Sequence, residues 1–361
     1  MSSPLRVGII GESGSGDYGH KIHLGFAACK DIEILALSDA NATEIDVIGD
    51  QLGVTHRYLD YRDMLRKTEL DAVVVATRNI ARHHEYVVAA LQAGLHVYCE
   101  KPMAQDLVQA DSMTDCAQRM GLKLAVALPG GHEPRFLDVL RRIDNGEIGE
   151  ILSTRGICKW DHRGGGEDAF VLGMHFSDLS RRILGDVIHV YGQVSQTNEM
   201  FPETHSRDGA EGVGLVAGDH FYATCKHKNG KISTIESHKS QTEDRALQPY
   251  RLEIYGTKGT IVHRAPYADG STYISRHVVP HPNNSDWKLI HQEADNYKDH
   301  HTRAAYNFAS AINSKTPLYC SGIDGMKAME VIHAAYLSSR TNQVIDLPLT
   351  QRAHPLVSTN K

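Results

Sequence analysis

No stretch of this sequence approaches the roughly 20 consecutive apolar residues that span a bilayer, so no membrane segment is expected. Positive charge is also scarce: 38 lysines and arginines stand against 44 acidic residues, a net charge of -6. Nucleic-acid binders need a basic footprint, which speaks against such a partner here. The six cysteines, Cys29, Cys99, Cys116, Cys158, Cys225 and Cys320, are scattered and form no CxxC pair. That spacing fits neither a disulfide framework nor a structural zinc site; free, mostly buried thiols are expected. Met1 to Leu5 runs straight into Arg6-Val7-Gly8-Ile9-Ile10. This leaves no room for the charged and apolar regions of a signal peptide, so cytoplasmic residence is the default. Histidines number 22, with neighbours at His83-His84 and His300-His301. Adjacent residues point in different directions on a helix or strand, so no metal site is expected.

What remains is an ordinary globular composition, 41% hydrophobic and 23% charged over 361 residues. That length suits two domains, each with its own core. In residues 1–147, short apolar runs alternate with helical patterns. The runs are Val7 to Gly11, Ile32 to Ser38, Ala72 to Thr77, His96 to Cys99 and Leu124 to Leu128; helical patterns include His83 to Ala93 and Asp106 to Met120. Unbroken apolar strands between helices predict an α/β Rossmann domain, a doubly wound parallel sheet covered on both faces. In residues 148–361 the segments become longer and alternate in polarity: Ile151 to Trp160, Val187 to Thr197, Asp219 to Lys226, Lys231 to Ser237, Arg251 to Tyr255 and Thr260 to His263. They predict an α+β domain with a mostly antiparallel sheet, one face open. Helices are expected at Val171 to Leu184 and Gly325 to Ser339, and a polar surface loop at Glu199 to Gly218.

The first strand runs into Gly8-Ile-Ile-Gly11-Glu-Ser-Gly14-Ser-Gly16-Asp-Tyr-Gly19, ahead of a helical stretch. This is the context of a dinucleotide fingerprint, stretched relative to GxGxxG. Glycines let the backbone approach a pyrophosphate, and helix amides donate to it. Asp39 ends the second strand about 20 residues further on, where a carboxylate bonds the adenosine ribose hydroxyls and repels a 2′-phosphate. No arginine follows in Ala40-Asn41-Ala42, so NAD is expected in preference to NADP.

Gly94-Leu-His-Val-Tyr-Cys-Glu100-Lys101-Pro102-Met-Ala closely resembles the strand-end signature of the Gfo/Idh/MocA oxidoreductase family. Thr77-Arg-Asn79 followed by His83 resembles its third-strand turn, and Gly173-Met-His175 its catalytic helix. Leu252-Glu-Ile-Tyr-Gly256-Thr-Lys-Gly259-Thr resembles its sheet hairpin, and Phe308 to Leu349 its closing helix and strand, placed at 304–349 in the second domain. The resemblance implies NAD(P)-linked oxidation or reduction of a sugar, cyclitol or relative. It also implies a homo-oligomer, dimer or tetramer, formed through the open sheet. Cofactor contacts are implied at Gly11, Gly14, Gly16, Gly19, Asp39, Thr77, Asn79, His83, Glu100 and Lys101, with a cis bond before Pro102.

Oxidising a carbinol needs a hydride acceptor, a base for the hydroxyl proton and a cation or donor for the developing alkoxide. Lys101, at the end of a parallel strand, suits the third duty. His175 suits the second, since an unperturbed imidazole titrates near ~6.5. The family's usual aspartate four residues before this histidine is replaced by Val171. Asp178 and Asp168 are the two available substitutes, and Asp168, in Arg163-Gly-Gly-Gly-Glu-Asp168, is favoured as a catalytic and pocket residue. Lys159, His162 and Arg163 at the end of the second domain's first strand, with His132 and Arg135 after the fifth strand, are further substrate candidates. The missing aspartate keeps two alternatives open: redox-neutral glycoside cleavage through transient sugar oxidation, and a non-catalytic NAD-binding sensor.

Overall fold

A computed structural model describes residues 3–197, 199–200, 206–210, 212–240, 244, 248–264, 270–278, 286–292, 297–313 and 316–357. Two compact units make up the chain: Met1–His132 with Gly209–Gly214 and Asn296–Met326, and Glu133–Asp208 with Leu215–Asp295 and Lys327–Lys361.

In the first unit, strands β1 (Leu5–Ile10), β2 (Ile32–Ser38), β3 (His56–Tyr58), β4 (Ala72–Val75), β5 (His96–Cys99) and β6 (Leu124–Val126) form one sheet in the order β3-β2-β1-β4-β5-β6. Every pairing is parallel. The reason lies in residues such as Ala72-Val73-Val74-Val75, all four fully buried. A strand covered on both faces needs apolar side chains in both directions. Helices α1 (Ile22–Ala27), α2 (Glu44–Leu52), α3 (Tyr61–Lys67), α4 (Ile80–Gln92) and α5 (Leu107–Met120) provide the cover. The α5 start is fixed by Asp106, whose carboxylate accepts the Gln109 N–H at 2.9 Å. Its end is set by Gly121 in the left-handed region, φ 66°. Strand order reverses between β1 and β4, and ligands of such sheets bind beyond the strands' carboxyl ends at that point.

The second unit opens with α6 (Pro134–Asp144) and is built on a mixed sheet. Strands β7 (Ile151–Ile157), β8 (Val187–Gln196), β9 (Glu199–Met200), β10 (Arg207–Asp208), β11 (Leu215–Val216), β12 (His220–His227), β13 (Ile232–His238), β14 (Arg251–Gly256), β15 (Thr260–Arg264), β16 (Ser271–Ser275), β17 (Lys288–Gln292) and β18 (Ile345–Asp346) occur in this order along the chain. The sheet runs β17-β16-β15-β14-β7-β13-β12-β8-β18, with β9 beside β8. Only β7 and β13 pair in parallel among its described strands. Strand β12 alternates buried and outward residues along its length, which leaves one face of the sheet open.

The other face is covered by α8 (Met174–Leu184), preceded by the short α7 (Gly166–Asp168) and a π-turn at Ala169–Gly173, and by the C-terminal part of α10 (Gly322–Thr341). Phe221 meets Tyr336 edge-on at 5.9 Å. Phe176 lies so close to Gly156 that a Cβ there would sit 2.5 Å from its own. Of the polar loop at 199–218, residues 201–205 and 211 lie outside the described residues. The remainder is anchored: β10 pairs with β11, and Arg207 binds the buried Glu167 at 2.6 Å.

The division of the chain differs from the one read at 147/148 in two respects. The change of unit comes at Glu133, and α9 (Tyr297–Ile312) belongs to the first unit rather than the second. Its Phe308 is fully buried against Tyr98 (5.8 Å) and Phe26 (6.2 Å), which themselves meet at 4.8 Å. Burying one such ring stabilises by about 1.5–3 kcal/mol. Gly25 makes room for the helix: a Cβ there would come within 2.4 Å of the His301 Cβ.

Candidate active site

In the first unit the glycine loop folds back on itself. The Asp17 N–H donates to Glu12 O (2.8 Å), and the Gly14 N–H to the Asp17 carboxylate (2.8 Å). Gly14 and Gly16 take φ of 85° and 104°, open to glycine at little cost. A Cβ on Gly16 would lie 2.5 Å from the Asn79 nitrogen, so only glycine lets the loop rest on the turn after β4. That turn holds it: the Arg78 N–H donates to Gly16 O (3.1 Å) and Asn79 Nδ2 to Ser15 Oγ (3.1 Å). The Glu12 carboxylate accepts from Tyr86 (2.6 Å) and from the buried Thr77 hydroxyl (3.2 Å). Gly11 sits beneath the Tyr18 ring. Asp39, 2% exposed, accepts from the Ser13 N–H (3.0 Å), the Ser13 hydroxyl (2.7 Å) and the Asn41 N–H (2.9 Å).

Glu100 and Lys101 end β5, and the Lys101–Pro102 bond is cis. The buried Glu100 carboxylate accepts the Lys101 N–H at 2.6 Å and contacts His20 Nδ1. Burial alone would raise the Glu100 carboxyl; His20, Lys101 and His301 outweigh it and hold it at about 2. Lys101 is 5% exposed. His83 is fully buried, its ring bridging Pro102 O (2.9 Å) and Thr77 O (2.8 Å). It thus ties together the two strand ends that carry Thr77 and Lys101. Half-buried His132 packs on Tyr319 at 4.7 Å.

These residues fit a dinucleotide. The glycine loop, Asp39, Thr77-Asn79 and Glu100-Lys101 all stand at carboxyl ends of strands, around the β1/β4 reversal. No atom lies within 4 Å of the place a Gly14 Cβ would take, so its backbone is open to approach. One expectation is corrected. The stretch after the loop is a 3-10 turn, Gly19–Lys21, followed by the six-residue α1, with His20 and Lys21 in the left-handed region. It does not present the array of amides that a long helix start would.

In the second unit, every residue from Gly164 to Ser180 is buried except His175, which is half-buried. The imidazole thus stands at the one opening in a closed stretch. The π-turn lies directly before it, and such wide turns recur at functional sites. Val171, in place of the usual aspartate, is buried. Asp178 is committed to Arg182 at 2.9 Å, a structural pairing. Asp168 is fully buried; its Oδ2 accepts from Ser237 (2.6 Å) and from the Trp160 N–H (3.2 Å). Burial first, and then Asp161, push its carboxyl up to about 6 against Ser237, Trp160 and Arg163. It joins the turn after β7 to the end of β13. On that turn Lys159 is half-buried, His162 exposed, and Arg163 held by Asp161 at 2.6 Å.

Arg135 does not stand where a substrate contact was expected of it. The residue is 1% exposed, and its guanidinium is consumed by Glu133 (2.7 Å), Arg264 O (3.1 Å) and Gly270 O. It braces the second unit and is closed to a substrate. Arg135→Ala would strand the buried Glu133 charge, at a cost of about 3–5 kcal/mol. Urea unfolding is expected to show that loss; a variant as stable as wild type would contradict the brace.

Models of two adjoining domains match this chain: "Oxidoreductase family, NAD-binding Rossmann fold" over residues 5–128 and "Oxidoreductase family, C-terminal alpha/beta domain" over residues 141–347. The chain belongs to the Gfo/Idh/MocA oxidoreductase family. It is an NAD(P)-dependent oxidoreductase of the class that acts on CH–OH groups. Relatives include D-glucoside 3-dehydrogenase of Escherichia coli, 26% identical over 96% of this chain and 98% of that protein. Another is myo-inositol 2-dehydrogenase of Thermotoga maritima, 24% identical over 95% of this chain and 98% of that one. Among solved structures, levoglucosan dehydrogenase with NADH and levoglucosan shares the fold at a TM-score of 0.76. It is 20% identical, with 96% of this chain and all of that one covered.

Several residues of the oxidoreductase were not singled out in its sequence. Glu12, Ser13 and Tyr18 sit within the glycine loop, and only its extra length hinted at added duties. His20 follows Gly19 directly, yet its carboxylate partner is 80 positions away. Asp168 offers a pH test. An unfolded Asp titrates near ~4, the folded one at about 6. The folded state therefore binds the proton more tightly, and the stability present below about pH 4 is lost as pH rises through 6. Asp168→Asn cannot titrate, so relative to wild type it should gain about 3 kcal/mol between roughly pH 4 and pH 7. Urea unfolding at both ends checks this; a constant difference would contradict it.

Proposed function

We propose that this enzyme oxidises a hydroxyl-bearing carbon of a sugar, cyclitol or sugar derivative, with NAD preferred over NADP. The observation that carries the reading is Lys101, a buried cation at the carboxyl end of β5, braced through its own amide by Glu100. The names of the relatives, sugar and inositol dehydrogenases, support the substrate class. Gly14, Gly16 and Gly19, with Asp39, Thr77, Asn79, Glu100 and Lys101, would hold the cofactor. The chemistry NAD supplies when bound is hydride acceptance.

The chain's own residues do the rest. The Lys101 ammonium steadies the negative charge that develops on the reacting oxygen. His175 takes the hydroxyl proton as general base. Lys159, His162 and Arg163 offer donors to a polyhydroxylated substrate, with His132 as a further contact. Asp168 is a positioning residue: through Trp160 N–H and Ser237 it fixes the turn carrying those donors. His83 likewise acts through the strand ends it ties. Asp39 disfavours the 2′-phosphate of NADP by charge.

The same reading has the enzyme work in the cytoplasm as a homo-oligomer. Exposed Tyr191, Tyr222 and Ile232 on the open sheet face support a second copy there. Redox-neutral glycoside cleavage and a sensor role gain no support from relatives named as dehydrogenases.

Incubation with NAD and a panel of sugars, inositols and aryl glycosides tests the reading, with NADH absorbance and product masses both recorded. NADH should accumulate with at least one polyol. Glycoside cleavage without NADH would sink net oxidation.

A further inference from the structure

The carboxylate assigned to the ribose is already engaged. A carboxylate offers about four acceptor positions. Asp39 Oδ2 accepts the Ser13 N–H at 3.0 Å and the Ser13 hydroxyl at 2.7 Å, and Oδ1 accepts the Asn41 N–H at 2.9 Å. The buried Tyr18 hydroxyl also lies beside this carboxylate, so at most one position is left, whereas a ribose diol brings two hydroxyls. Two of the three donors are backbone amides fixed by the fold. The third, the Ser13 hydroxyl, can rotate away.

We infer that Ser13 competes with the cofactor for Asp39, so that the Ser13–Asp39 pair, rather than Asp39 alone, sets NAD affinity. The inference rests on the first unit's being the NAD-binding domain and names a specificity residue within it. It follows from the stretched glycine loop, which carries Ser13 between Gly11 and Gly14 over the end of β2.

The loop does not depend on that hydroxyl. Glu12 is held by Tyr86 and Thr77, Ser15 by Asn79, and Gly16 O by the Arg78 amide. The Ser13 amide keeps its own bond to Asp39. Removing the hydroxyl alone therefore frees one acceptor on Oδ2 and leaves the loop in place. A competing internal bond lowers the fraction of protein ready to bind, and its removal raises apparent affinity by that fraction.

Calorimetric titration of the full chain with NAD and with NADP, without substrate, tests this. Ser13→Ala should tighten NAD binding roughly fivefold to tenfold. NADP should not share the gain, because the freed carboxylate faces its 2′-phosphate. The NAD-to-NADP ratio then widens by the same factor. Ser13→Thr keeps the hydroxyl and should return the affinity to that of wild type. A purely structural serine would give weaker binding in Ser13→Ala; weaker or unchanged NAD binding overturns the inference. Failure of the wild-type chain to bind NAD at all would overturn the cofactor reading, and the competition with it.

Discussion

Replacing Lys101 by alanine is expected to lower kcat roughly 10²- to 10³-fold and to leave NAD affinity within about threefold. The asymmetry follows from what the ammonium does. As a carbinol proton departs, charge concentrates on one oxygen, and a fixed cation in a site of low dielectric stabilises that charge far more than the neutral ground state. Lys101 meets these conditions: it is 5% exposed and stands on a strand end braced by Glu100 and His83. Lys101→Arg should not restore the rate, since a planar fork cannot replace a compact point charge at one position. Steady-state kinetics with a substrate from the panel, beside an NAD titration, separates the two quantities. A kcat near wild type would remove Lys101 from the chemistry. A loss of NAD binding well beyond threefold would make holding the cofactor, rather than the chemistry, its main duty.

Replacing His175 by alanine is expected to cost roughly 10²- to 10⁴-fold in kcat, the usual contribution of a positioned general base. The variant should also respond differently to pH: with the base gone, hydroxide or a small buffer base becomes the proton acceptor, and residual activity should climb steadily on the alkaline side. A residue needed only for packing would not alter the shape of the profile. The structural reason for choosing His175 is its half-exposure in a run where everything else from Gly164 to Ser180 is buried. His175→Gln, which keeps much of the volume, should be as slow as His175→Ala. An active glutamine variant would show that shape rather than proton transfer is what matters there.

The first unit was legible in the sequence wherever its chemistry is local. Strands such as Ala72 to Val75 announce themselves because both their faces are covered. Short polar strands do not: β3, His56–Tyr58, has no apolar pattern to read, and neither have β16 and β17. The helix α9 shows why domain membership was harder. An amphipathic pattern reveals that one face is buried, not what it is buried against, and Phe308 finds Phe26 and Tyr98 more than 200 positions back.

The site follows the same division. Glu100-Lys101-Pro102 was readable as a contiguous motif at a strand end. Arg135 was misread because its three partners are decided by the fold; two of them lie 129 and 135 positions away. Asp168 was found for its place in a glycine-rich loop, while its burial and its bond to Ser237, 69 positions on, were not foreseeable. Asp39 was located by spacing, but that Ser13 already engages it depends on how the stretched loop folds.

Isotope tracking tests hydride transfer from the carbinol carbon to the nicotinamide. A substrate found in the panel is deuterated at its carbinol carbon and incubated with the enzyme and NAD. The dinucleotide product and the oxidised substrate are then weighed by mass spectrometry. One deuterium is expected on the reduced nicotinamide for each molecule of ketone or lactone formed. Deuterium retained in the carbohydrate, with a bond cleaved and no labelled NADH, would contradict that transfer.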